Sequence, residues 1–321
     1  MRGKIVKGVS NGLGAGALWG LVFLAPLVLK DFSPLQLAAA RYLTYGLVAL
    51  LLLLPRWRQV LSPLGRAEWG ALVWLSMLGN IVYYVLLATA VQWAGGASTA
   101  LIIGLLPLVV TLAGARDADA IAFRKLAPPL LLSLSGIALV AVDGLLAETS
   151  KGAQATVTLR LAGLLCAAMA LASWSTYSIV NSRWLARRPD ISAHDWSLLT
   201  GIVTGALALL LVLPGFWQAA SHSGTAWLHF WGVNVGVAVL ASVIGNALWN
   251  RASRLLPLTL MGQMIVFETL FALLYGFLWE QRLPGVLEII AIVCLVSGVL
   301  WCASLHRGHA THESELFKAV G

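Results

Sequence analysis

Two charged residues stand inside runs of apolar sequence, and they are the first candidates for chemistry. Glu268 lies in "QMIVFETLFALL", residues 263–274, and Arg41 in "LQLAAARYLTYGLVAL", residues 35–50. A charge in such surroundings is costly unless it is paired, hydrogen-bonded or neutralised. For Glu268 several uses compete. It can pair with Arg41, carry a proton, bridge helices as a structural acid, or meet a solute. Arg41 can reach outward along its aliphatic stem, pair with Glu268, or attract an anionic group. Both are candidate gating or coupling residues. Pro107 joins them, because a proline in a helix removes a backbone hydrogen bond and bends the chain, as a fixed kink or a hinge.

Polar and aromatic residues deep within apolar segments form the second set: Trp19, Asn80, Tyr83, Tyr84, Trp174, Tyr177 and Asn246. Rings offer apolar area, and amides and hydroxyls orient a bound molecule, so the group fits a substrate pathway. Packing and interhelical hydrogen bonds account equally well for any one of them. Trp69, Trp93, Trp227, Trp279 and Trp301 fall near segment ends, where tryptophan anchors a helix at a membrane surface.

Other chemistry has little support. There is no HExxH pair, no paired intramembrane acids and no phosphate-binding GxxxxGK[ST] loop. No enzyme, metal or cofactor is expected. His306, His309 and His312 read as solvated side chains of a charged tail rather than metal ligands. Cys166, Cys294 and Cys302 all sit in apolar segments and read as packing residues, not a disulfide framework.

The elements that must position these residues are membrane spans. Of 321 residues 60% are hydrophobic and 11% charged, against about 25% charged in soluble domains. Spanning takes about 20 apolar residues, and ten segments qualify: 8–28, 34–54, 69–91, 97–115, 126–144, 160–181, 195–213, 227–249, 257–279 and 284–304. The net charge of +8 comes from short basic clusters between them, which speaks for membrane orientation and not for nucleic acid. Sixteen of the 21 Lys and Arg residues flank the spans on the side of both termini. Lys30, Lys151, Arg160 and Arg282 lie on the other side, and Arg41 lies within a span. That asymmetry predicts cytoplasmic termini in the cell inner (plasma) membrane.

Ten spans divide into five and five, and an odd-numbered repeat must be inverted. A shift of 155 residues lays Gly8 on Gly163 and Trp19 on Trp174. A shift of 162 lays Ser135-Gly136 on Ser297-Gly298 and Leu106-Pro107 on Glu268-Thr269. Gly8, Gly12, Gly16 and Gly20 repeat GxxxG along the first span, a face for close helix packing.

"GALWG" in the first span, "SPLQLAAARYL" at residues 33–43, "ASTALIIGLLPLVVTLAG" in the fourth span and "FETLFALLYGFLWEQRLP" in the ninth resemble the EamA-type halves of the drug/metabolite transporter superfamily. The resemblance covers nearly the whole chain. It departs in the second half, which has no Arg matching Arg41 and has Thr269 where the family often has Pro. It implies an all-α integral membrane protein of ten transmembrane helices, two inverted five-helix repeats around a central cavity. The expected units are 1–150, 151–306 and a cytoplasmic tail, 307–321. The implied function is secondary transport, with export of small metabolites such as amino acids. Multidrug efflux is the alternative, and a membrane enzyme or a scaffold stands further off. The expected partners are a small-molecule solute, the lipid bilayer and protons as coupling ion, in a monomer or a homodimer.

Overall fold

The computed structural model describes residues 2–29, 31–94, 96–117, 121–150, 157–217 and 222–320, and among them the regular elements are helices. Lys30 and Lys151, two cations in the orientation argument, lie outside the described residues. So do the side chains of Arg2, Arg307, His309, His312 and Lys318, and the expected boundary at 150/151 abuts an undescribed segment.

The helices are α1 (Arg2–Val28), α2 (Pro34–Leu53), α3 (Arg66–Ser76, Met77–Val82, Tyr83–Ala94), α4 (Gly96–Ile103, Leu106–Gly114) and α5 (Phe123–Ser150). They continue as α6 (Val157–Arg187), α7 (Ala193–Phe216), α8 (Gly224–Val237, Ala238–Gly245, Asn246–Leu255), α9 (Leu258–Met264, Val266–Glu280) and α10 (Val286–Val320). Among the described residues eight stretches are long and apolar enough to cross a membrane. They fall on eight of the expected spans, and α1 and the broken α4 coincide with the other two.

Local chemistry sets the boundaries. Ser33 caps α2 by accepting from the Gln36 N–H at 3.2 Å, while the Gln36 side chain accepts from the Ser33 N–H at 2.8 Å. This reciprocal capping satisfies two amides that a helix start leaves open. Ser192 caps α7 by accepting from the Asp195 N–H at 2.9 Å. Leu256 is extended (φ −115°, ψ 144°) because the ring of Pro257 disfavours a helical residue before it, and α8 ends there. Pro107 stands in the first turn of Leu106–Gly114, just past the break in α4. Gln281, in the left-handed region at φ 51°, stops α9.

Helices pair across the two halves of the chain. α2 lies along α7, α5 along α10 and α4 against α9. α1 packs on α8 and α9, and α6 packs on α3 and α4. Glycines permit the closest approaches: a Cβ on Gly46 would stand 2.6 Å from the Cα of Gly205, and a Cβ on Gly205 the same from Gly46. Gly136 and Gly298 play the corresponding parts at the α5/α10 crossing, each facing a carbonyl of the other helix. On α1, Gly12 faces Met264, Gly16 faces Phe267 and Gly20 faces Phe271. The GxxxG face therefore packs mainly on α9.

One expectation is corrected: His306, read as a solvated tail side chain, is buried, with Nε2 2.7 Å from Thr259 Oγ1 and Nδ1 2.8 Å from Cys302 O, because α10 carries it back against α9. Trp227, expected near a membrane surface, is half-buried. Its ring packs on Phe32, Phe230 and Phe216, because the α1–α2 connection passes beside the first turns of α8. Trp69, Trp93, Trp279 and Trp301 are exposed on the helix surfaces as expected. The cysteines are free thiols, with Cys302 buried.

Candidate functional site

The site is built on two wide turns. Met77–Val82 in α3 and Ala238–Gly245 in α8 are π-helical, a geometry that occurs mostly as short bulges and often at functional sites. Carbonyls in these turns accept bonds from side chains on other helices. Ser173 of α6 donates to Leu78 O at 2.8 Å and Tyr42 of α2 to Asn80 O at 3.4 Å, while Trp19 of α1 donates through Nε1 to Ala241 O at 3.1 Å. A backbone acceptor with no water nearby needs such a donor. Each turn also admits a ring where a larger residue would collide. A Cβ on Gly79 would stand 2.5 Å from the Tyr177 ring, and one on Gly245 2.9 Å from Nε1 of Trp19.

Behind the turns lies an aromatic wall. Trp174 is the hub: its ring centroid lies 6.2 Å from Trp19, 5.6 Å from Trp249, 5.9 Å from Tyr177 and 6.4 Å from Tyr83. Trp19, Trp174 and Tyr177 are buried, and Tyr83 and Tyr84 are half-buried. Asn80 and Asn246 tie the frame together. Asn80 donates to Thr204 Oγ1 of α7 and Asn246 to the Tyr45 hydroxyl of α2, both at 3.3 Å. The Tyr45 hydroxyl in turn donates to Ser197 O at 2.7 Å. Pro107 is buried at the α4/α9 contact, where Thr111 donates to Thr259 O at 3.1 Å.

The two charges sit against this wall without meeting. Arg41 donates through Nε to Ser242 Oγ in the α8 wide turn at 3.0 Å. Its guanidinium carbon lies 5.3 Å from the Tyr42 ring centroid and 5.9 Å from that of Tyr84, within the range of cation–π attraction. Glu268 stands in the first turn of Val266–Glu280, just past the one-residue interruption at Ile265, and its N–H donates to Ile265 O at 3.0 Å. Its backbone N lies 2.9 Å from where a Gly16 Cβ would be, one turn of α1 from Trp19. The carboxylate makes no hydrogen bond or ion pair with a described residue. An ion pair between the two, one use considered for both residues, is absent from this arrangement.

The structure thus gathers Trp19, Tyr83, Tyr84, Trp174, Tyr177, Arg41 and Glu268 around one region, and sets Asn80 and Asn246 as its braces. Pro107 belongs to the neighbouring α4/α9 contact. Sequence reasoning missed Ser242, Tyr42, Tyr45, Thr204 and, as part of the wall, Trp249. Tyr42 and Tyr45 carried one signal, their place on the helix that presents Arg41.

At the arginine-rich end, charges latch the helices. Arg188 pairs with Glu68 at the start of α3 and with Asp190 at 2.7 Å. Arg56, just past the end of α2, pairs with Asp195 of α7 at 2.8 Å, and Arg183 of α6 with Asp117 at 3.1 Å. Arg254 of α8 donates to the carbonyls of Arg188, at 3.0 Å, and Ile191. The hydrogen bonds from Arg188 hold Asp190 below the usual carboxylate range. At the opposite end, Phe32 stacks on His222 at 4.2 Å and packs on Phe230 at 4.4 Å and Trp227 at 5.1 Å.

A frame of apolar helices with wide turns, a broken α4 and α9 and unpaired charges in the middle is that of a helical membrane transporter. The EamA-like transporter family matches residues 6–116 and 161–304, and the chain belongs to that family. It is similar to inner membrane protein YtfF of Escherichia coli (strain K12), with 36% identity over 311 residues, covering 92% of this chain and 94% of that one. A solved crystal structure shares the fold at a TM-score of 0.70 and 22% identity, covering 94% of this chain and 97% of the other.

Proposed function

We propose that the protein is a secondary transporter of the inner membrane that exports small amphipathic organic solutes, such as amino acids, by alternating access. The observation that carries this reading is the pair of uncompensated charges, Arg41 and Glu268, set on an aromatic wall where helices of both halves converge. Rings can cover the apolar part of a solute, and Glu268 can either meet its polar part or carry a coupling proton.

The moving parts in this reading are two inverted five-helix repeats, 1–150 and 151–306, with ten crossings and both termini in the cytoplasm. The pairing of α2 with α7, α4 with α9 and α5 with α10 supports it. So do the reciprocal glycine crossings and the occurrence of one wide turn in each half. The charge asymmetry supports the orientation. The size of the ring cluster favours a second reading, efflux of apolar drugs, in which the wall alone makes the contact.

Counterflow in proteoliposomes tests the proposal. Vesicles loaded with unlabelled amino acids or drugs receive labelled solute outside, with wild type beside Glu268→Gln. Exchange retained in the variant with loss of pH-driven accumulation identifies Glu268 as the coupling acid. Identical behaviour at every pH rules that role out. Exchange of drugs but not amino acids selects the second reading, and no exchange of either overturns both.

A further inference from the structure

A recess opens at the arginine-rich end between the start of α1, the start of α7 and the last turns of α8, away from the aromatic wall. Its volume is about 460 Å³, and Lys7, Ser10, Asn11, Arg251, Arg254 and Leu255 help to line it, with Val6 and Ala193. Three cations therefore converge on one cavity that no carboxylate lines.

What sets the recess apart is that its cations share one cavity, whereas other cations at this end are engaged in ion pairs or stand singly. Arg56, Arg183 and Arg188 on the same end are engaged with Asp195, Asp117, Asp190 and Glu68. Lys7 and Arg251 are exposed, and their side chains bond no described residue. Arg254 spends one terminal nitrogen on loop carbonyls, but its Nε is buried without a partner. Like charges held together repel; Asp190 acts on Arg254 from outside the recess, but no carboxylate lines it beside Lys7 and Arg251.

The surroundings say what kind of anion. The recess lies at helix ends, at the edges of the expected spans 8–28 and 227–249, where a span of about 20 residues meets the headgroup layer. Its apolar residues, Val6, Ala193 and Leu255, suit a glycerol backbone and the first methylenes of an acyl chain. Ser10 adds a hydroxyl donor. Basic pockets between membrane helices bind anionic headgroups in this way.

We propose that this recess holds the phosphate of an anionic lipid headgroup between Lys7 and Arg251, with Arg254 behind it. The lipid would brace α1 against α8 where Gly8 packs on Leu255 and Leu256, close to the helices that carry Trp19 and Ser242.

The test uses the full-length protein in nanodiscs of phosphatidylcholine, with or without phosphatidylglycerol. Native mass spectrometry reads retained lipid, and thermal unfolding reads stability. Wild type should retain phosphatidylglycerol selectively and melt higher with it. Lys7→Gln and Arg251→Gln should each lower retention roughly fivefold, the worth of one cation near anionic lipid. Arg58→Gln with Arg66→Gln, on the same end but outside the recess, should change little. The proposal falls if that control pair loses as much lipid, since the attraction is then diffuse. It also falls if Lys7→Gln with Arg251→Gln retains lipid like wild type. Equal stabilisation by inorganic phosphate in phosphatidylcholine discs would assign the recess to a soluble anion and overturn the lipid assignment. The melting temperature in phosphatidylcholine alone shows whether each variant folds.

Discussion

The α6–α7 connection and the α1–α2 connection occupy corresponding places in the two halves, yet they are fastened by opposite chemistry. Each leads through a serine cap, Ser192 or Ser33, into a helix of the central α2/α7 pair. Each touches the beginning of the helix that follows the other's partner. Arg188 reaches Glu68 at the start of α3, whereas Phe32 reaches Trp227 and Phe230 in the first turns of α8. One fastening is ionic and the other aromatic. The lesson is that one scaffold position can be made sensitive or insensitive to its medium by side-chain choice alone. Ion pairs near a surface weaken with salt, while ring packing does not depend on charge.

Four substitutions break or sharpen that contrast. Gly46→Val should have the largest effect, because it wedges apart the α2/α7 crossing from which both fastenings hang. Overpacking of this kind costs about 3 kcal/mol or more, and the expected result is loss of the monodisperse peak in gel filtration. A well-behaved variant would show that the crossing yields. Phe32→Ala comes next, at about 3 kcal/mol for a buried ring. Its loss of melting temperature should be the same at low and high salt. Arg188→Ala should lower the melting temperature less, and its deficit should shrink as salt rises, since wild type loses the same pairs to screening. Matching salt responses in these two variants would erase the distinction between the ends.

The smallest effect is acid dependence. Asp190 is depressed by Arg188, so its contribution is fully present above the ordinary aspartate value of about 3.9. It is lost as pH falls through the lower folded value. Wild-type melting should therefore keep this contribution between pH 7 and 5 and lose it below about pH 4. Asp190→Asn should lack that step. An unchanged acid limb in the variant would remove Asp190 from the ionic fastening.

Much of the frame was legible because it rests on local chemistry. Apolar runs marked the spans, Pro107 marked an interruption, and the glycine repeat of α1 marked a packing face. Arg41 and Glu268 announced themselves by their cost. Ser242, Thr204 and Tyr45 did not, since a serine, threonine or tyrosine in an apolar helix is ordinary. Their importance comes from what faces them: a guanidinium, an amide, a carbonyl in another helix. Wide turns also lack a local signature, so nothing in "MLGNIV" or "AVLASVIG" told that side chains from α1, α2 and α6 would bond there. His306 was misread because a histidine near a charged tail is ordinarily solvated, and only the contact of α10 with Thr259 of α9 buries it.

The wide turns also set the angular phase of everything beyond them. A residue removed from Met77–Val82 would turn the rest of α3 by about 100° relative to its start. Tyr83 and Tyr84 would then swing away from Trp174 and Arg41, although no contacting side chain had been altered. A one-residue deletion there acts as a rotation of half a helix, and α8 carries the same sensitivity on the other side of the molecule.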